Sequence, residues 1–199
     1  MTAFFETLVR DIILTSIWEW IAVVTAILYV ILAAHKRNLC WLFAFISSGI
    51  YVYLCWIGYL YIEAVLNLFY VVMAAVGWLS WKSKKTSDLI QTWKFSKHLV
   101  NIILSGIVAY MLGFSFDFWS NQVNPYMDAC TTVYSLAATY MVVKRVLGNW
   151  IYWIAIDLVS IYLYFDRGYT LSSLLFVAYT VLALFGFVKW YKAYKIQTA

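Results

Sequence analysis

An aspartate sits where lipid-soluble sequence should exclude one. Asp157 lies at the centre of the apolar segment 149–165, with eight residues to either end. A charge at a bilayer centre costs about 2.5–3.5 kcal/mol on insertion scales, so such a group marks a functional position by default. Trp153 and Trp150 precede it by four and seven residues. On a helix those spacings put all three on one face. A carboxylate beside two indoles suits a flat, cationic, hydrogen-bonding ligand. The rings offer stacking and cation–π attraction, and the carboxylate offers charge pairing and a strong acceptor. The competing reading is an aspartate bonded to a neighbouring helix, with the tryptophans packed as ordinary core.

Other polar side chains recur at helical spacing. Glu63, Asn67 and Tyr70 stand at i, i+4 and i+7. Asn67 either bonds a ligand or ties helices together. Trp41, Phe45 and Ser48 share a face of an earlier segment, where core packing competes with ligand contact. Glu19, Glu63 and Asp128 lie near segment ends, one turn from water. Glu19 and Asp128 also stand near helix N-termini, where negative charge is favourable. Trp18, Trp20, Trp56 and Trp119 fit interfacial belts. Cys40, Cys55 and Cys130 sit in apolar runs and read as reduced, buried small hydrophobes. Neither His35 nor His98 has a metal partner at helical spacing, so no metal or cofactor is expected. The phosphate-binding GxxxxGK[ST] is absent, which excludes an ATP motor in this chain. No catalytic arrangement survives, and the expectation is a protein that is not an enzyme.

The elements that must hold these residues follow from composition. Of 199 residues, 65% are hydrophobic and 12% charged, and the mean hydropathy is +0.82. That is too little charge for the polar shell of a soluble domain, which carries about 25%. An all-α membrane protein is implied. A spanning helix needs about 20 mostly apolar residues, and seven segments qualify: 17–34, 39–57, 61–81, 98–116, 124–143, 149–165 and 169–190. None alternates as a barrel strand would. Phe4, Phe5, Leu8 and Ile12 predict a short interfacial helix before them.

Seven spans put the termini on opposite sides. Of the 14 basic residues, only Arg10 and Arg167 fall on the N-terminal side. The rest, including Lys82, Lys84, Lys85, Lys94 and Lys97 of the loop 82–97, fall on the other. The positive-inside rule places the N-terminus outside and the C-terminus in the cytoplasm. The net charge of +5 thus reflects topology and calls for no nucleic-acid partner.

The chain also resembles itself. NLCWLFAFISSGIYVYL from Asn38 aligns with NWIYWIAIDLVSIYLYF from Asn149. The matches continue at Gly58/Gly168, Tyr70/Tyr179, Gly77/Gly186 and Trp81/Trp190, with an offset drifting from 111 to 109. Two parallel three-helix repeats joined by one helix are implied, a 3+1+3 arrangement. Their bounds are 1–97, 98–123 and 124–199. In the alignment, Trp150, Trp153 and Asp157 fall opposite Leu39, Leu42 and Ile46.

WEWIAVVTAILYVILA, the CW at Cys40, LYIEAVLNLFY, GWLSW, NWIYWIAID and the closing G-x-x-x-W together resemble the PnuC family of bacterial vitamin transporters, over about residues 17–192. The resemblance implies a seven-helix fold related to the sugar-transporting SWEET fold, in the bacterial inner membrane. It implies facilitated diffusion of a water-soluble vitamin, trapped afterwards by a cytosolic kinase. The family's W-x-x-W maps onto Trp150 and Trp153, and its following polar residue onto Asp157. Riboside members usually carry Asn at that position, and Gln where this chain has Asn67. The acidic replacement favours thiamine, whose thiazolium and aminopyrimidine suit a carboxylate; nicotinamide riboside is the alternative. A homo-oligomer is compatible with all of this.

Overall fold

The structure is a computed structural model and describes residues 2–59, 61–82, 89–119 and 124–198. Lys84 and Lys85 lie outside the described residues, as do the side chains of Phe4, Phe5 and Trp119. Eight helices run through the described part: α1 (Thr2–Leu14), α2 (Ile17–Ala34), α3 (Cys40–Ile57), α4 (Tyr61–Lys82), α5 (Phe95–Trp119), α6 (Pro125–Val143), α7 (Asn149–Asp166) and α8 (Thr170–Thr198).

Local signals set the boundaries. Ser16 caps α2: the Glu19 N–H donates to Ser16 Oγ at 3.2 Å, and the Ser16 N–H donates to Glu19 Oε2 at 2.7 Å. This reciprocal box satisfies two otherwise orphaned donors. Glu19 is therefore a capping residue, a more specific role than charge at a helix end. Pro125 opens α6 in its first turn, where its missing N–H removes no helical bond. Four turns pass through the left-handed region: Lys36 (φ 55°), Tyr59 (59°), Arg145 (52°) and Gly168 (77°).

Among the described residues, five helices are long and apolar enough to cross a membrane: Ile17–Ala34, Cys40–Ile57, Glu63–Lys82, Phe95–Phe118 and Thr170–Thr198. The remaining two long helices, α6 and α7, carry more polar groups. Ser135, Thr139, Asn149, Asp157 and Ser160 are nevertheless buried, so their polarity points into the protein. The outward faces are apolar, as at Val65, Leu68 and Val72 of α4 and Leu104, Ile107 and Met111 of α5.

The helices close into a ring. α2 packs on α3, α3 on α4, α4 on α6, α6 on α7, α7 on α8, and α8 back on α2. α5 packs outside on α6, and α1 outside on α8. The hydrophobic core is concentrated at one end, where α2 and α6 finish and α3 and α7 begin. Its large members are Trp41, Trp81, Trp150 and Trp190.

The geometry repeats at a constant separation of 109 residues. Lys36 and Arg145 share the left-handed turn, as do Tyr59 and Gly168. Cys40 and Asn149 each begin a helix of 18 residues. Trp41 meets Trp81 edge-on at 5.3 Å and 86°, and Trp150 meets Trp190 at 5.4 Å and 88°. The drifting offset of the sequence alignment is therefore corrected: the counterpart of Trp150 is Trp41, not Leu39. Asp157 corresponds to Ser48 and Trp153 to Ala44. Identical letters in apolar helices had pulled the alignment out of register by two residues.

Candidate functional site

The tryptophan pairs explain two glycines. A Cβ at Gly77 would lie 2.4 Å from the Trp41 ring, and one at Gly186 would lie 2.5 Å from the Trp150 ring. Only glycine lets each indole lie directly on the facing helix. The second tryptophan of each pair then reaches across the ring. The Trp81 Nε1–H donates to the Val143 carbonyl at 3.0 Å, and the Trp190 Nε1–H to the Ala33 carbonyl at 3.1 Å. Trp81 of α4 is thus tied to the end of α6, and Trp190 of α8 to the end of α2. Arg145 donates to the Trp81 carbonyl at 3.3 Å and lies 4.7 Å from its ring centre.

This frame fixes where the sequence-selected residues stand. Trp150 is 3% exposed and its indole N–H has no hydrogen-bond partner among the described residues. Its ring face is committed to Gly186 and Trp190. Trp153 is half-buried and packs against the same core. Asp157 is 3% exposed, two turns further along α7. No described residue hydrogen-bonds its carboxylate, and the charged or polar group that interacts with it electrostatically is the Tyr179 phenol of α8. Trp150 with Gly186 and Asp157 with Tyr179 are seven residues apart on both helices. α7 and α8 therefore run antiparallel in register along one seam.

The other candidates separate into inside and outside. Trp41 and Ser48 are 2% and 8% exposed, whereas Phe45 is 48% exposed. Phe45 helps line an outward groove of about 480 Å³ with Trp18, Ile46, Gly49, Ile50 and Tyr53, on the lipid side of α2 and α3. Glu63 is exposed. The Asn67 side chain donates to the Glu63 carbonyl of its own helix at 2.9 Å. The Tyr70 hydroxyl bonds the Ser135 side chain, joining α4 to α6. The structure thus buries Asp157 and Ser48, leaves Tyr70 half-buried, and places Phe45 and Glu63 at the periphery.

Several interior polar groups were not singled out from sequence. Tyr51 of α3 interacts electrostatically with Tyr164 of α7 and with Tyr179 of α8. α3 has no backbone contact with either helix, so this interaction spans the ring rather than a packed helix pair. Tyr164 in turn senses Glu63 and Asp128. At the rim, Arg167 donates to the Asp128 carboxylate; that hydrogen bond and the neighbouring charge raise the guanidinium further above its ordinary value. Tyr179 was legible only as the repeat counterpart of Tyr70. Tyr51 and Tyr164 gave no signal, because tyrosine in an apolar helix fits a belt, a core and a lumen equally well.

Comparison with known proteins supplies the rest. The family model described as nicotinamide mononucleotide transporter matches residues 16–192. The chain is 28% identical to the nicotinamide riboside transporter PnuC of Neisseria mucosa, over 88% of this chain and 72% of that one. It is 28% identical to the riboflavin/roseoflavin transporter RibM of Streptomyces davaonensis, over 72% of this chain and 70% of that one. A crystal structure of the vitamin B3 transporter PnuC superposes with a TM-score of 0.75, covering 96% of this chain and 88% of that one at 23% identity, which establishes a shared fold. With a ring of apolar helices around buried polar groups, and a match spanning most of its length, the chain belongs to the nicotinamide mononucleotide transporter family and is a multi-pass membrane transporter of the PnuC kind.

Proposed function

We propose that this transporter carries nicotinamide riboside by facilitated diffusion through the ring, with Asp157 as the principal contact to the cationic pyridinium. The observation that carries this reading is the buried carboxylate, which no charged group or hydrogen-bond donor among the described residues pairs with. A charge so placed is strongly disfavoured unless a cation joins it. The relatives' names support a vitamin with a flat ring, and of the two vitamins they name, nicotinamide riboside carries the fixed positive charge. Trp153, Ser48, Tyr70, Tyr179 and Asn67 would complete the site, with Trp41 and Trp150 as its packed floor.

A second reading is thiamine. It is favoured by the same residue, since the family resemblance leads one to expect an amide at position 157 in riboside carriers. Thiamine adds an aminopyrimidine to its cationic thiazolium, and a carboxylate suits both.

The transport cycle follows from the two halves. We infer seven spans, α2 to α8. At 1.5 Å per residue α6 and α7 reach about 28 and 27 Å, close to the hydrocarbon thickness. Residues 1–97 and 124–199 would form two parallel units linked by 98–123, rocking about a site between them. The basic side would face the cytoplasm of a bacterial inner membrane, with the N-terminus outside. A cytosolic kinase would trap the product, since no nucleotide motif lies in this chain. A homo-oligomer would be several such rings side by side.

Titration calorimetry in detergent with nicotinamide riboside, thiamine and riboflavin tests the substrate. Tight binding of the riboside with at least tenfold weaker thiamine is the expected result. The reverse order establishes the second reading, and preference for riboflavin refutes both. Uptake into empty liposomes tests transport itself.

A further inference from the structure

The helix outside the ring is not a mere connector. α5 packs on α6 and has no backbone contact with α7, yet it reaches α7 through one polar cluster. The Asn101 side chain donates to the Tyr152 hydroxyl at 3.2 Å, and His98 Nδ1 lies 3.3 Å from the same oxygen. With Asn101 donating into the phenol, the pattern is complete when the Tyr152 O–H donates to His98 Nδ1. The His98 and Tyr152 rings are 5.8 Å apart, and Trp93 closes the other side of His98 at 5.5 Å. Gly148, just before α7, gives His98 its room: a Cβ there would lie 2.6 Å from His98 Cε1. Tyr134 of α6 stacks obliquely on Tyr152 at 6.5 Å and donates to the Ile102 carbonyl of α5 at 2.9 Å.

We propose that Tyr152 is a positioning residue, through which α5 fixes the rotation of α7 and so the place of the Trp153–Asp157 face. It rests on the reading of that face given under the proposed function. At about 100° per residue, Tyr152 lies some 100° from Trp153 and 140° from Asp157 around the helix. A tether on that flank resists rotation of the other. A turn of about 15° at a side-chain radius of about 5 Å moves a carboxylate by more than 1 Å, whereas a binding constellation tolerates about 0.5 Å. The counterpart of Tyr152 in the first half is Phe43, which has no hydroxyl. The half that carries the buried charge is also the half that carries the tether.

The test is radiolabelled uptake into liposomes with nicotinamide riboside and thiamine as probes. Tyr152→Phe keeps the ring and removes the tether. Its KM is expected to rise about tenfold, with the maximal rate within about twofold of the parent and melting essentially unchanged. His98→Leu should do the same, and His98→Asn, which retains a polar atom at the Nδ1 position, should restore the parental KM. Adding Tyr152→Phe to His98→Leu should give no further loss. An unchanged KM in Tyr152→Phe overturns the proposal. So does a KM rise accompanied by falls in maximal rate and melting temperature, which marks a structural role. If the parent protein takes up neither probe, the proposed substrate fails, and the positioning role is decided separately by spin labels. Labels at the exposed positions Tyr53 and Leu158, in a background without native cysteines, report the α3–α7 distance. Broadening or displacement by Tyr152→Phe supports the tether, and an unaltered distribution refutes it.

Discussion

α2–α4 and α6–α8 share a frame and differ in their charge. At one end both place a tryptophan on a glycine, Trp41 on Gly77 and Trp150 on Gly186. Both cross it edge-on with a second tryptophan that donates to the other half. Further along the same helices the likeness breaks. Ser48 of α3 occupies the position that Asp157 holds in α7, and Phe43 the position of Tyr152. At the rim Glu19 caps its own helix, while its counterpart Asp128 pairs with Arg167. Packing geometry is what the halves must have in common for the ring to close. Away from that frame the halves depart, and the buried carboxylate and the Tyr152 hydroxyl both fall in α7.

The largest effects should come from the shared frame. Gly77→Ala and Gly186→Ala each force a methyl into an indole, and overpacking of this kind costs about 1–3 kcal/mol. Thermal unfolding in detergent should show both melting lower by similar amounts. Gly49→Ala, with nothing within 4 Å of the added atom, should instead be neutral or stabilising by up to about 1 kcal/mol. Unequal losses at Gly77 and Gly186 would break the equivalence.

Next come the reciprocal indole bonds. Trp81→Phe leaves the Val143 carbonyl without its indole donor, costing about 1–3 kcal/mol, whereas after Trp190→Phe the Ala33 carbonyl keeps the Lys36 N–H at 2.9 Å. Unfolding assays should show the larger loss for Trp81→Phe, and equal losses would show that the Lys36 bond does not compensate at Ala33.

The charge itself sharpens the contrast. Asp157→Asn should weaken binding of the cationic vitamin at least tenfold, about 1.4 kcal/mol, whereas Ser48→Ala should change it less than twofold. Calorimetry reads both. Equal effects at the two sites would mean that the ligand sees the halves alike. The smallest expected change is at the rim. Asp128→Asn removes an ion pair whose side chains are 22–23% exposed, worth under about 1 kcal/mol and weakened by salt. Melting temperatures at low and high salt should converge for parent and variant.

Much of the fold was readable in advance because lipid imposes a simple code. Apolar length predicted helices at nearly the observed bounds, and α2 matches its expected range of 17–34. The internal likeness was readable too, but not its register. Asn38 and Asn149 attracted each other as identical letters, whereas helix starts and left-handed turns pair Cys40 with Asn149 and Tyr59 with Gly168. Apolar side chains substitute freely within a membrane, so a two-residue slip leaves little trace in composition. Asp157 was legible for the opposite reason: a carboxylate among so few charges cannot be mistaken for background.

By itself, the sequence determined that the solvent is lipid, that the chain is helical and repeated, and that one carboxylate stands deep in the second half. Each follows from transfer free energies and periodicity, which depend on residue type and spacing alone. Only the tertiary structure decided which tryptophans are structural. Trp150 and Trp153 share a helical face, but Gly186 on another helix draws Trp150 into the core. It also decided that Tyr51, Tyr164 and Tyr179 come within electrostatic reach across the ring, and that Asn101 and His98 of α5 meet the Tyr152 hydroxyl of α7. Those outcomes depend on residues brought together from distant parts of the chain, and no local pattern specifies which faces will meet.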